Sequence, residues 1–485
     1  MVMERQQVRS FHQILPKRSD GNLCHVKSQS SGTVIGANME SQMKSATSSN
    51  PALANRLLNE VCHQDNLKRA CDRVIKNRGK PGIDGMTVDD LATWFPKHWE
   101  EFSASVMNGS YQPQPVRGVR IPKPGGGIRQ LGIPTVKDRL VQQAILQVLY
   151  PIFDHGFSDS SYGFRTRRNA HQALRRAKKI VAAGRNIVVD LDLEKFFDKV
   201  NHDIIMNRLA IHVSNKCLLN LIRLFLKAGM IQDGKLIRNK EGTPQGGPLS
   251  PLLANLILDD LDKKLEKDKH LFCRYADDCN IFVKSVRAGE RVMQSITKFL
   301  ESKLKLTVNK TKSAVAYTEE RKFLGYRVLN NGRLSIAPQS ITRLKISIRK
   351  ILHTNRNSLS LDLAISELNR RMTSWWAYFH LGANKAHLRS IDGWVRRKLR
   401  CLMLKQAQTT EEMITLLSRH GVSPRLARFT ATSGQKAWAL SGTITASRAM
   451  PTRWFEDMGL ENLVQKYDSR QSRLAEIRKR TDPVI

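Results

Sequence analysis

The 485-residue chain carries 80 Lys and Arg against 43 Asp and Glu, a formal net charge of +37, and 41% of its residues are hydrophobic. Its length suggests two to four domains with a substantial core. The charge excess repels itself unless a polyanion neutralises it, so RNA or DNA is the expected partner. No run of roughly 18 apolar residues argues for a membrane span, and the N-terminus lacks the apolar centre of a signal peptide. The seven cysteines are scattered, without Cys-x-x-Cys or zinc spacing, which suggests a reducing cytoplasm and no structural zinc.

Residues 1–50 are rich in Ser, Gln, Asn and Lys and read as a disordered leader. Ala54 to Asn77 has helical spacing, with Leu57, Leu58, Val61, Leu67, Ala70 and Val74 on an apolar stripe. A Gly/Pro-punctuated loop follows from Asn77 to Gly85. Thr87 then reads as an N-cap, with Asp90 at the capping-box position. The segment Ile121 to Ile133 predicts a basic strand–turn–strand, and Asp138 to Leu149 an amphipathic helix. Asn186 to Leu193 predicts a buried strand bearing Asp190 and Asp192. Leu253 to Leu265 predicts a helix, and Leu271 to Val283 two short strands joined at Ala276-Asp277-Asp278. Beyond about residue 335 the pattern is helical and strongly basic. Interleaved helices and hairpins without a repeat define an α+β fold with a largely antiparallel sheet.

Two elements carry the chemistry. Asp277 and Asp278 repel one another at a hairpin tip, an arrangement a cation relieves. Asp190 and Asp192 lie two apart on a strand, where burial of a charge costs several kcal/mol unless it is paired or bound to metal. Together the strand and the tip can converge three carboxylates on Mg²⁺, a hard ion that prefers oxygen ligands and substrate phosphates. Two such ions support phosphoryl-transfer chemistry of the polymerase type.

The motifs that surround these residues resemble a known family. Tyr275-Ala-Asp-Asp278 looks like the reverse transcriptase signature. In family order there follow Arg129-Gln-Leu-Gly-Ile-Pro-Thr-Val-Lys-Asp-Arg139, Tyr162-Gly-Phe-Arg165, Asp192-Leu-Glu-Lys-Phe-Phe-Asp198, Gly242-Thr-Pro-Gln-Gly-Gly-Pro-Leu-Ser-Pro-Leu-Leu-Ala-Asn255, Asn309-Lys-Thr-Lys-Ser313 and Phe323-Leu-Gly-Tyr326. The set, over about residues 55 to 470, is similar to the bacterial group II intron-encoded reverse transcriptase/maturases, in their compact class without an endonuclease domain.

The resemblance implies a right-hand polymerase of fingers, palm and thumb that copies RNA into DNA and assists intron splicing and retrohoming. It implies catalytic and metal-binding roles for Asp192, Asp277 and Asp278 with the Leu193 carbonyl, holding two Mg²⁺. Asp190 competes with Asp192, but the family spacing favours Asp192. Lys123, Arg129, Phe197, Gln245 and Lys312 are expected at the nucleotide, Phe197 as the gate against a ribonucleotide 2′-hydroxyl. Phe323, Leu324, Gly325 and Tyr326 match the primer grip. The implied domains are an N-terminal extension of the fingers (51–118), fingers and palm (119–335), thumb or maturase domain X (336–410) and a DNA-binding domain (411–485). Implied partners are intron RNA, RNA template with DNA primer, target DNA and deoxynucleoside triphosphates, in a cytoplasmic, nucleoid-associated setting. Trp375, Tyr378 and Phe379 read as helix packing, and the face carrying Arg396, Arg397 and Lys398 as phosphate contact. Two alternatives remain open: a domesticated reverse transcriptase in defence or repair, and an RNA-folding maturase without polymerase activity.

Overall fold

The computed structural model describes residues 51–122, 126–238, 240–353 and 359–481. The expected leader and Lys123 lie outside the described residues. The described residues form two compact units: one gathers residues 51–180 with 185–316, the other residues 181–184 with 317–481.

The first unit is α+β. The expected helix from Ala54 to Asn77 is two helices, Pro51–Cys62 and Gln64–Lys76. His63 breaks them: its backbone is extended and its ring accepts the Asp65 amide, capping the second helix. Helix Val88–Met107 begins at the Thr87 capping box, with the Thr87 amide donating to Asp90 at 2.7 Å. Helix Val136–Asp154 is buried nearly all round rather than amphipathic. Its polar residues are correspondingly paired: Tyr111 donates to Asp138 at 2.8 Å, and Arg139 to the Lys80 carbonyl at 2.8 Å. This matches the rule that buried polar groups find partners.

Strands β1 (Val116–Pro122) and β2 (Ile128–Ile133) form the basic hairpin. β3 (Ile187–Leu191) follows, then β4 (Met230–Gln232) and β5 (Lys235–Ile237). β6 (Leu271–Tyr275), β7 (Asp278–Val283) and β8 (Ala314–Tyr317) complete the unit's strands. One sheet has the order β2-β1-β4-β5, where β1 and β4 run parallel; the other is β6-β7-β3-β8. The second sheet is backed by helices Ser250–Lys267 and Val286–Phe299, whose apolar residues join a continuous buried cluster from Leu58 to Val308.

The second unit is mainly helical. A short hairpin of β9 (Tyr326–Val328) and β10 (Leu334–Ile336) precedes helices Pro338–His353, Leu361–Phe379 and Lys385–Gln406. Trp375 is fully buried and Phe379 nearly so, in keeping with a packing role. Helix Leu463–Thr481 returns onto Lys385–Gln406, where the Asp392 carboxylate accepts the Leu463 and Val464 amides. No helix among the described residues is long and apolar enough to cross a membrane.

Candidate active site

The hairpin tip is narrower than the sequence suggests. Tyr275 pairs with Asp278, so only Ala276 and Asp277 form the turn and Asp278 opens β7. Ala276 has φ +57°, a left-handed conformation that costs a Cβ-bearing residue about 1–2 kcal/mol. The surroundings hold it there. Arg274 donates to the Ala276 carbonyl at 3.0 Å. The same guanidinium forms a two-pronged ion pair with Asp262, at 2.7 and 2.5 Å, with both side chains fully buried. Burial opposes the guanidinium's proton, but the charge and hydrogen bonds of Asp262 raise its affinity on balance. Arg274 also donates to Asn255 at 3.0 Å, and Asn255 donates to the Gly163 carbonyl at 2.9 Å. A Cβ on Gly163 would lie 2.1 Å from the Ala276 nitrogen, so that position requires glycine. Backbone bonds from Tyr162 to Arg274 and from Arg274 to Ser160, both 2.9 Å, complete the brace. Two of the sequence motifs, Tyr162 to Arg165 and Gly242 to Asn255, thus meet behind the turn.

Asp192 lies one residue beyond β3, not on it. β3 and β7 pair antiparallel, with Leu191 opposite Cys279. Continuing that register by one residue sets Asp192 across from Asp278. The loop before β8 fixes Asp192 from the other side: its amide donates to Ser313 Oγ at 2.9 Å and its carbonyl accepts the Asn309 amide at 2.8 Å. Lys312 Nζ stands 3.4 Å from its carboxylate, an ion pair between half-exposed groups. Asp190, the competitor, is occupied differently: Asn280, opposite it on β7, donates to its carboxylate at 3.0 Å. Leu193 is buried and bridges to Val308.

Burial above all, joined by the charge of Asp192, raises the Asp277 carboxyl above its ordinary value, against the opposing pull of its own backbone amide, Arg129 and Arg274. Arg129 itself is exposed on β2, opposite Ile121. Gln245 is half-buried, and its carbonyl accepts the Gly132 amide at 3.1 Å, tying its loop to the basic hairpin. Gly246, at φ +145°, lies so close that a Cβ would be 2.4 Å from the Gly132 carbonyl oxygen. Phe197 is partly buried, edge-on to Phe196 at 5.2 Å, and its carbonyl accepts the Thr243 amide at 2.7 Å. The structure therefore gathers Asp192, Asp277, Asp278, Arg129 and Lys312 around one end of the β3–β7 pair, with Gln245 joined to the same hairpin as Arg129.

Among the described residues no group of three or more His, Cys, Asp or Glu side chains is already assembled as a metal cage. The donor set nevertheless suits a hard divalent ion: it is all oxygen, and the half-buried Asp277 feels the charge of Asp192.

In the second unit, Phe323 and Tyr326 exchange backbone bonds of 2.9 Å around Leu324 (φ +52°) and Gly325 (φ +82°). Positive φ at both central residues marks a tight primed turn. Tyr378 donates to the Leu324 carbonyl at 2.9 Å, and Ser340 to that of Gly325 at 2.9 Å. Further on, Arg397 and Lys398 lie 4.0 and 4.1 Å from the Trp438 ring centre, and Lys345, Arg349 and Lys398 surround Trp394.

Neither Asp262 nor the pairing role of Arg274 belongs to the motifs set out above. The signal was present: Asp262 lies seven residues after Asn255 on the apolar stripe of helix Ser250–Lys267, where an unpaired carboxylate would not be tolerated.

The family match places this chain in the class of RNA-dependent DNA polymerases. Residues 121–328 match the family described as reverse transcriptase (RNA-dependent DNA polymerase), and residues 341–420 the group II intron, maturase-specific domain. Protein YkfC of Escherichia coli is 30% identical over 338 residues, covering 61% of this chain and 89% of that protein. Group II intron-encoded protein LtrA of Lactococcus lactis is 34% identical over 241 residues, 49% of this chain and 39% of LtrA. The COX1/OXI3 intron 1 protein of Saccharomyces cerevisiae is 32% identical over 221 residues, 45% of this chain and 26% of that protein. The matches thus span less than half the length of the two intron-encoded relatives. The chain belongs to the group II intron-encoded proteins, reverse transcriptases that carry a maturase domain.

Proposed function

We propose that this chain extends a DNA primer on an RNA template at the end of the β3–β7 pair, and that it uses its basic helical unit to hold intron RNA during splicing and mobility. The observation that carries the reading is the register that sets Asp192 across from Asp278, with the half-buried Asp277 beside them. Asp192, Asp277 and Asp278, with the Leu193 carbonyl, would hold two Mg²⁺. Ions held there would supply the charge that activates a primer 3′-hydroxyl and stabilises a departing pyrophosphate. Lys312 and Arg129 supply cationic contacts to the triphosphate, and Lys123 is assigned the same role from its motif. Lys312, paired with Asp192 at 3.4 Å, exchanges that partner for phosphate as the nucleotide enters. Phe197 presents its ring to the sugar and excludes a 2′-hydroxyl, and Gln245 lies against the base. The Phe323–Tyr326 turn bears on the primer strand.

Helices Pro338–His353 and Lys385–Gln406 carry the cations around Trp394 and Trp438, suited to the phosphates and 2′-hydroxyls by which A-form RNA is recognised. Target DNA is assigned to residues 411–485, where Phe429 is 74% exposed beside Arg425 and Arg428. Primer extension on poly(rA)/oligo(dT) in Mg²⁺ tests the reading. Incorporation of dTTP is expected; a protein that binds intron RNA and promotes splicing but incorporates none would be an RNA-folding maturase instead.

A further inference from the structure

We propose that Arg274 is a positioning residue for the carboxylate turn, with Asp262 and Asn255 as its supports. This rests on the polymerase reading above. Three observations carry it. Arg274 and Asp262 are both 0% exposed, so this pair makes no solvent contact and no contact with a nucleic acid. The guanidinium is fully engaged along one direction: two bonds anchor it to Asp262 on helix Ser250–Lys267, and the third nitrogen divides its bonds between Asn255 and the Ala276 carbonyl. That carbonyl belongs to the left-handed residue immediately before Asp277. Arg274 therefore transmits the rigidity of a buried helix to the one strained peptide that aims the Asp277 side chain. A neutral residue could fill the space but could supply neither the planar fork nor the charge.

A purely structural ion pair predicts loss of fold on substitution and recovery when both partners become apolar, since buried pairs are often replaceable by hydrophobic residues. A positioning pair predicts that stability recovers and function does not. The experiment compares Arg274→Met, Arg274→Lys, Asn255→Ala and the double variant Arg274→Met/Asp262→Leu in the full chain. Thermal unfolding, single-turnover primer extension and Mn²⁺ binding by electron paramagnetic resonance are measured on each. The double variant is expected to melt near the wild-type temperature, yet to extend primer about 100-fold more slowly, as misplacement of reacting groups by an ångström can cause. Its Mn²⁺ affinity is expected to fall about tenfold, the loss typical of removing a group that orients a metal ligand. Arg274→Lys should recover part of both. A folded double variant with wild-type rate and Mn²⁺ affinity overturns the proposal. Should neither pair variant fold, Asn255→Ala decides: it keeps the ion pair, a several-fold loss of rate and Mn²⁺ affinity supports the proposal, and wild-type values overturn it. Wild-type protein that binds Mn²⁺ but extends no primer overturns the polymerase reading instead, and the Mn²⁺ affinities of the variants still judge Arg274.

Discussion

Two tight turns in this molecule do different work and are held by different physics. The Ala276-Asp277 turn and the Leu324-Gly325 turn each place a residue other than glycine at positive φ, and each has a turn carbonyl clamped by a side chain. Behind Ala276 the clamp is a fully buried charge, Arg274, paired to Asp262. Behind Leu324 and Gly325 the clamps are the neutral hydroxyls of Tyr378 and Ser340. The first turn must present carboxylates that repel one another, so its support has to bring countercharge as well as geometry. The second carries no charged side chain, and neutral hydrogen bonds with aromatic packing suffice: Tyr326 is fully buried and packs on Phe379 at 5.3 Å.

The contrast can be broken at either turn. The largest effect is expected from Asp277→Asn with Asp278→Asn. Primer extension should drop by about 1,000-fold or more, because metal-held charge supplies several kcal/mol of catalysis, while binding of intron RNA in a filter assay stays at the wild-type level. Gly163→Ala comes next. Its new Cβ would meet backbone rather than a yielding side chain, 2.1 Å from the Ala276 nitrogen, and the turn must move; single-turnover rates should fall about 100-fold. At the other turn, Gly325→Ala meets Ser340 Oγ at 3.1 Å and the Phe379 ring at 3.2 Å and is held at φ +82°. It should cost about 1–2 kcal/mol in denaturant unfolding of the second unit. Tyr378→Phe removes one hydrogen bond to the Leu324 carbonyl and should cost about 1 kcal/mol in the same measurement.

Much of this was legible in the chain itself, for identifiable reasons. The capping box at Thr87 and Asp90, the basic hairpin and the strand–turn–strand around Asp277 are local, and short-range chemistry dictates them. The break at His63 was not legible, because both helices share one apolar stripe and only the backbone at a single residue interrupts them. Nor was the end of β3 before Asp192. Its departure from the strand depends on Asn309 and Ser313, more than a hundred residues later. The Arg274–Asp262–Asn255 network escaped for the same reason: it joins a helix, a strand and the Gly163 loop, and sequence periodicity reports only one element at a time. Spacing alone left Asp190 a competitor to Asp192, which the family pattern favoured; Asn280 donates to the Asp190 carboxylate.

The segment after β3 and the turn before β7 would together hold the two divalent ions. Replacing Mg²⁺ with Fe²⁺ and adding ascorbate and peroxide generates hydroxyl radicals at the bound ion and cuts the chain beside it. Paired cuts are expected near Asp192–Leu193 and near Asp277–Asp278, both suppressed by excess Mg²⁺. Cuts at only one of these segments, or cuts elsewhere with both intact, would contradict it.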